Sequence, residues 1–131
     1  KYSLLMTVEE LTANIKNEEK LKLKENDDKK FLETNIRFLE DHIASKELSI
    51  DDFARHLGMS RTAYYNRMKE LTGLPPVEFV KQIRIKEALW LLKNGKHSIT
   101  EVAYEVGFND PKYFTRCFTK QYGASPSSFR E

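Results

Sequence analysis

Apolar residues recur every three or four positions along most of the chain, which is the spacing of one face of an α-helix. The clearest stripe consists of Leu32, Ile36, Leu39 and Ile43. Asp27 or Asp28, just before it, could accept a hydrogen bond from a free amide at the helix start. No run of strand length alternates apolar and polar residues. The pattern therefore predicts an all-α protein.

The first 26 residues carry a shorter stripe of the same kind, made of Leu4, Val8, Leu11 and Ile15. The stripe ends in the polar run NEEKLKLKENDDKK. Two heptads are too few for a coiled coil. Residues 1–26 are therefore predicted to form either a linker helix or a dimerising helix.

Two short segments, 49 residues apart, share the pattern of one helix with the same start and stop. Ser49 and Ser98 each stand before an apolar stripe and three residues ahead of a carboxylate, as in a capping box. The two stripes are Ile50, Phe53, Ala54 and Leu57, and Ile99, Val102, Ala103 and Val106. Gly58 and Gly107 follow at equal distances, where glycine ends a helix readily.

A second helix follows each of these segments, in MSRTAYYNRMKELTG and in FNDPKYFTRCFTKQYG. One extra residue near Pro111 raises the offset to 50, and Asn109 or Asp110 would cap the helix there. The equivalent positions beyond it are Tyr64 and Phe114, Met68 and Phe118, and Gly73 and Gly123. The stretches GLPPVEFV and GASPSSFR close the two copies, so the sequence predicts a duplicated helix-turn-helix.

Between the copies, the pattern predicts one continuous helix over about 76–93, ended by Asn94 and Gly95. Such a helix would be about 27 Å long. It could hold the second helices of the two copies about one DNA turn, or ~34 Å, apart. Trp90 lies between two leucines on this helix; we expect it in the core, and an exposed contact for a partner is the alternative.

Charge is unevenly distributed along the 131 residues, although the net charge is only +2. Residues 61–96 carry eight basic and three acidic side chains. This basic stretch indicates a polyanionic partner.

Several classes of protein are disfavoured. Cys117, the one cysteine, allows no internal disulfide and fits a reducing compartment. Three scattered histidines form no metal-binding pattern, and no apolar run reaches the length of a membrane span. We expect a cytoplasmic protein with no cofactor, no metal, no catalytic residues and no membrane contact. Because it begins with Lys1 and not with methionine, we expect a fragment or processed product of a longer protein.

The outward faces of the two second helices are rich in hydrogen-bond donors and hydroxyls and lack carboxylates. The candidates in the first copy are Arg61, Thr62, Tyr65, Asn66 and Lys69. The candidates in the second copy are Lys112, Tyr113, Thr115, Arg116 and Lys120, with Thr119 on the same face. Arg116 could bind guanine and Asn66 adenine, while the lysines suit phosphates. We therefore predict binding to double-stranded DNA, by one chain in two adjacent major grooves with unlike half-sites.

These segments resemble the DNA-binding domain of the AraC/XylS family of bacterial transcription regulators. The segment ITEVAYEVGFNDPKYFTRCFTKQYGASPSSFR is similar to its second motif, LSIDDFARHLGMSRTAYYNRMKELTGLPPVEFV to its first, and RIKEALWLL to its linker helix. The resemblance implies seven helices, promoter binding and regulation of transcription, often through RNA polymerase. It also implies domain boundaries: 1–26 as a linker, then 27–74, 75–94 and 95–131 as first subdomain, linker helix and second subdomain of a DNA-binding domain over 27–131.

Two positions depart from the family pattern. Many members have arginine where Asn66 stands, and Pro75 replaces a common serine before the linker helix. The first helix-turn-helix would then position the protein, and the second would supply more of the specificity.

The stretch DDKKFLETNIRFLEDHIASKELSIDDFARHLGMSR is similar to the output end of hybrid two-component sensors of Bacteroidetes type. That similarity implies a phosphorylated receiver or sensor domain upstream of the chain.

Two other classes of function compete with DNA binding as interpretations of the sequence. An enzyme would need a convergent acid, base or nucleophile, and Cys117, His56 and His97 are scattered and better explained as a buried thiol and two surface histidines. A helical protein-interaction module is the stronger rival, and it predicts no salt-dependent binding of DNA.

Overall fold

The computed structural model describes residues 27–95 and 97–130, which contain six α-helices and no strand. The helices are α1 (Asp27–Asp41), α2 (Ile50–His56), α3 (Arg61–Thr72), α4 (Pro76–Asn94), α5 (Ile99–Glu105) and α6 (Pro111–Tyr122). A short 3-10 helix, Pro126–Phe129, follows α6. The all-α prediction is confirmed, while the helix predicted within residues 1–26 lies outside the described part of the chain.

The chain divides into two compact units. Of the described residues, unit 1 contains 27–41 and 48–80, and unit 2 contains 42–47, 81–95 and 97–130. Unit 1 therefore holds α1, α2, α3 and the start of α4, and unit 2 holds the rest of α4 with α5 and α6. The connector, residues 42–47, precedes α2 in sequence but belongs to unit 2.

Unit 1 has a core in which α3 contributes a buried tyrosine. Its other buried apolar residues in α1 to α3 are Phe31, Leu32, Ile36, Leu39, Phe53, Ala54, Met68 and Leu71. The Tyr64 hydroxyl donates to Oδ1 of Asn35, whose amide donates in turn to the Phe31 carbonyl at 2.8 Å. Burial raises the pKa of the Tyr64 hydroxyl, so this donor stays protonated. Each polar group buried in this core thus has a partner.

Unit 2 has an aromatic and aliphatic core of its own. Its buried members are Ile85, Ala88, Leu92, Val102, Ala103, Val106, Phe108, Phe114 and Phe118. The Phe114 and Phe118 ring centroids lie 5.9 Å apart on one face of α6, and Phe129 of the 3-10 helix packs edge-on against Phe118 at 5.6 Å. The second closing segment therefore covers one end of this core.

A buried arginine holds the connector within unit 2. Nη1 of Arg84 donates to the carbonyls of Ile43 and Val106, at 2.7 Å each, and Nη2 reaches the Ser45 carbonyl at 3.4 Å. Val106 is the C-cap of α5, where the helix leaves carbonyls without intrahelical partners. Burial lowers the pKa of the guanidinium, and the carbonyl oxygens offset part of the cost of burying its charge.

Both predicted capping boxes are present. The Ser49 and Ser98 amides each donate to the carboxylate three residues on, at 2.9 Å, and both hydroxyls accept a return bond. These bonds hold the pKa of Asp52 and of Glu101 below their ordinary values, the serine backbone N–H being the largest cause. Local sequence thus defines the starts of α2 and α5.

The expectation that Trp90 lies in the core is wrong. Its side chain is 48% exposed on α4, whereas Ala88 and Leu92 of the same helix are buried. The flanking leucines are only partly buried against the unit 2 core. Apolar neighbours in sequence therefore indicate little about Trp90, because adjacent helical positions point about 100° apart.

Candidate nucleic-acid interface

The duplication predicted from sequence appears as two helix pairs, α2–α3 and α5–α6, with the same hydrogen bonds in their turns. After α2, the Gly58 amide donates to the Arg55 carbonyl at 3.1 Å and the Met59 amide to the Ala54 carbonyl at 2.9 Å. After α5, the amides of Gly107 and Phe108 make the equivalent bonds at the same two distances. Both are Schellman motifs, in which a left-handed glycine follows the helix, here with φ of +67° and +94°.

The second helix of each pair is also bounded in the same way. The N-cap of α3 is Ser60, and the N-cap of α6 is Asp110, one of the two residues predicted for that role. Gly73 and Gly123 end the two helices, both with φ of +76°. The extra residue before Pro111 is therefore absorbed in the turn, and α3 and α6 have the same length of 12 residues.

The face of α3 predicted to contact DNA is exposed. The side chains of Tyr64, Met68 and Leu71 point into the core and are buried. The five candidates, all of them exposed, are Arg61, Thr62, Tyr65, Asn66 and Lys69. The structure thus gathers them on one side of α3 and away from its apolar side.

Sequence reasoning missed an acidic neighbour of this face. Asp51 of α2 lies 3.4 Å from Nε of Arg61, and both side chains are more than half exposed. An exposed pair of this kind contributes at most about 1 kcal/mol, so a phosphate could replace the carboxylate. The periodicity of α2 alone gives no signal for a contact between two helices.

Arg67 does not substitute for the arginine that Asn66 lacks. Its guanidinium lies 4.2 Å from the centroid of the Phe31 ring, and Nη2 lies 3.3 Å from Oδ1 of Asp28. The side chain is thus directed to α1 within unit 1. Its equivalent in the second copy is Cys117, a half-buried residue packed against the unit 2 core. That equivalence is the sequence signal that position 67 does not lie on the outward face of α3.

The candidate face of α6 is likewise opposite the buried Phe114 and Phe118. Lys112, Tyr113, Arg116 and Lys120 are exposed, together with Thr119, and Thr115 is half-buried. The Arg116 guanidinium lies 5.7 Å from the centroid of the Tyr113 ring, one turn earlier in the helix. Arg116 makes no ion pair within the described residues, so its planar donor group is available to an acceptor outside the chain.

The chemistry of these faces is that of binding to an acceptor-rich surface. Their arginine, lysine, asparagine and hydroxyl groups match base edges and phosphate oxygens. Within residues 27–95 and 97–130, no three histidine, cysteine or acidic side chains gather where they could hold a metal ion. Among the same residues, no helix has both the length and the apolarity needed to cross a membrane.

Comparison with known sequences places these helix pairs among transcription regulators. Residues 53–131 match the profile of the family described as "Helix-turn-helix domain". The chain is 37% identical over 103 residues to histidine kinase P4 of Formosa agariphila, covering 79% of the chain and 8% of that protein. It is 38% identical over 84 residues to the Msm operon regulatory protein of Streptococcus mutans, covering 64% of the chain and 30% of that protein. The chain therefore spans less than a third of either relative.

Solved structures give the same result for the fold. The DNA-binding domain of AdpA, in complex with a target DNA, superposes with a TM-score of 0.69 at 28% identity, over 76% of this chain and 88% of that one. The C-terminal domain of the response regulator AraT from Geobacillus stearothermophilus gives 0.68 at 25% identity, over 76% and 82% of the two chains. The C-terminal domain of the two-component response regulator yesN from Fusobacterium nucleatum gives 0.68 at 26% identity, over 76% and 96% of the two chains.

Proposed function

The chain belongs to the AraC-type helix-turn-helix family of DNA-binding transcription regulators, and we propose that both of its recognition helices, α3 and α6, bind one promoter duplex. The observation that carries the proposal is the pair of equivalent turns, each presenting a 12-residue helix with an exposed donor-rich face. A helix-turn-helix places its second helix in the major groove, with the N-terminal residues of that helix near the base edges.

In unit 2, α6 supplies most of the base recognition. Arg116 is exposed and unpaired by any described carboxylate, and its forked donors match O6 and N7 of guanine. Tyr113 and Thr115 lie on the same helix near Arg116, while Lys112 and Lys120 contact phosphates. This side of the site therefore distinguishes bases more strongly than the α3 side.

In unit 1, α3 contributes more to positioning. Asn66 stands where many family members have an arginine. The neighbouring Arg67 packs on Phe31 and pairs with Asp28. Asn66 then pairs with adenine, whereas Arg61 and Lys69 bind phosphates, together with Thr62 and Tyr65. The two half-sites of the DNA are thus unlike in sequence.

We place the two recognition helices in adjacent major grooves of the same face of the duplex. The 19 residues of α4 rise about 28 Å, which is close to the ~34 Å of one DNA turn. One chain would then occupy both half-sites, where many helix-turn-helix proteins need two.

For the cellular setting, we propose a cytoplasmic output domain of a two-component or hybrid sensor protein. The relatives that support this are a histidine kinase and the C-terminal domains of two response regulators. An upstream receiver or sensor would control the domain, and RNA polymerase would be the further partner at the promoter. The domain would act by binding, with no reaction catalysed.

The experiment is to select duplexes from a random pool with the unaltered chain and then measure affinity by fluorescence anisotropy. Arg116→Ala is expected to cost about 1–3 kcal/mol at the selected site and to relax base preference there. Arg37→Ala is the matched control, because Arg37 is an exposed arginine of α1 that forms an ion pair with Glu33 of the same helix, 3.9 Å away.

The control variant should bind the selected duplex like the unaltered chain. If the unaltered chain binds no duplex even at low salt, the domain is a protein-interaction module and the proposal is wrong. An unchanged base preference in Arg116→Ala would show that Arg116 does not recognise a base.

A further inference from the structure

Most of the basic residues in the stretch 61–96 lie outside the two recognition faces. Arg61 and Lys69 lie on the α3 face, Arg67 packs on Phe31, and Arg84 is buried against carbonyls. Lys81 belongs to α4 and lies next to α6, within unit 2. Its surroundings indicate a second kind of contact with DNA.

Lys81 and Arg116 flank the same aromatic ring. Nζ of Lys81 lies 6.0 Å from the centroid of the Tyr113 ring, and the Arg116 guanidinium lies 5.7 Å from it. The ring is itself tilted against the buried Phe108 at 5.9 Å, which holds it in place from the core side. Tyr113 nevertheless remains 42% exposed, so the cluster opens to the outside of unit 2.

Packing between α4 and α6 fixes where Lys81 lies. Nε2 of Gln121, near the end of α6, donates to the Gln82 carbonyl of α4 at 3.3 Å. Gln82 thus lies beside the C-terminal end of α6, while the ammonium of its neighbour Lys81 lies 6.0 Å from the ring centroid of Tyr113 in the first turn, the end that faces base edges in a helix-turn-helix. Lys81 is half-buried, which restricts its ammonium group to this neighbourhood.

We propose that Lys81 of α4 is a phosphate-binding residue, whose ammonium contacts the DNA backbone at the edge of the groove that α6 enters. The inference rests on the proposed function, because it requires α6 to be a recognition helix. The Lys81 ammonium and the Arg116 guanidinium lie 6.0 and 5.7 Å from the Tyr113 ring centroid, so a backbone phosphate beside that ring would be attracted to both cations. A lysine acts as a point charge toward phosphate, so Lys81 would add affinity and orientation without selecting a base.

The test is the salt dependence of binding by Lys81→Gln, measured on the duplex selected with the unaltered chain. One phosphate contact contributes about 0.9 to the slope of log affinity against log salt. Between about 50 and 200 mM salt, the unaltered chain should therefore lose about 3.5-fold more affinity than the variant. Base preference should not change, in contrast to Arg116→Ala.

Two further variants make the result specific. Lys93→Gln removes a lysine at the other end of α4, where Nζ lies 5.9 Å from the Phe129 ring, and should keep the full slope. Lys81→Arg preserves the charge and should also keep the slope, which separates loss of charge from loss of folding.

A Lys81→Gln variant with the slope and affinity of the unaltered chain would overturn this inference alone. A reduced slope in Lys93→Gln of the same size would also overturn it, since the effect would then be one of overall charge. Absence of salt-dependent duplex binding by the unaltered chain would overturn the proposed function as well.

Discussion

Gly107 shows how one residue can be required by both its backbone and its neighbours. Its φ of +94° is a conformation that side chains with a Cβ rarely adopt. A Cβ built there would lie 1.3 Å from Nη1 of Arg84 and 2.3 Å from the Ile43 carbonyl oxygen. The missing side chain thus makes room for the arginine that holds the connector in unit 2.

We expect Gly107→Ala to destabilise the domain far more than Gly58→Ala. Gly58 is equivalent in the duplication and has φ of +67°, but no atom lies within 4 Å of its added Cβ. Gly58→Ala should cost about 1 kcal/mol from backbone strain alone. Gly107→Ala should cost about 3 kcal/mol or more, because the buried guanidinium also loses its hydrogen bonds.

Urea denaturation of both variants measures the two free energies of unfolding. Equal losses would show that Arg84 and the connector adjust freely, and that the close packing around Gly107 has no energetic consequence.

Among the elements, the caps are where sequence predicts structure best. A capping box lies within four residues, so Ser98 and Glu101 carry all the information needed to start α5. The same holds for the turn glycines and for the apolar stripes of α1, α2 and α5. The all-α fold, the duplication and the outward faces of α3 and α6 could therefore be predicted.

The contacts between elements could not be predicted in the same way. Arg67 on Phe31, Arg84 on the connector carbonyls and Asp51 beside Arg61 join residues on different helices or loops. The periodicity of one helix does not predict these contacts, because a long side chain can contact several residues of other elements with similar energy. The exposure of Trp90 escaped prediction for a related reason, since it depends on which side of α4 the core occupies.

We expect Ser98→Ala to lower the stability of the domain by about 0.5–2 kcal/mol, the usual cost of removing an N-cap. The Ser98 hydroxyl accepts from the Glu101 amide at 3.1 Å. Thermal unfolding measures the loss. Thr100→Ala, an exposed change in the first turn of the same helix, should have little effect. Equal losses in the two variants would contradict the role of the cap.

The capping carboxylate predicts a pH dependence with a definite sign. The pKa of Glu101 in the folded state lies below its ordinary value of 4.5, so its charged form stabilises the fold. That stabilisation is present above about pH 4.5 and disappears as the pH falls through the folded pKa. Glu101→Gln, which keeps an acceptor but no charge, should therefore differ from the unaltered chain near neutral pH and converge with it in acid.

Thermal unfolding of the two proteins from about pH 7 to about pH 3 measures this difference. A difference in melting temperature that stays constant over this pH range would show that the charge of Glu101 does not stabilise the fold.

Across the whole chain, the two copies of the helix-turn-helix share their turns and helix ends but differ in the outward side chains of α3 and α6. Both turns share their hydrogen bonds, and both recognition helices have the same length and the same terminal glycine. Their outward side chains differ: Asn66 in α3 has Arg116 as its counterpart in α6. A monomer with two unlike recognition helices would need an asymmetric DNA site, whereas a symmetric dimer needs a palindrome.

Hydroxyl-radical footprinting of the selected duplex, with the mass of the same complex measured by sedimentation, tests whether one chain binds both half-sites. We expect one chain per duplex and two protected stretches on one face of the DNA, about 10 base pairs apart. Two chains per duplex, or a single protected stretch, would contradict this expectation.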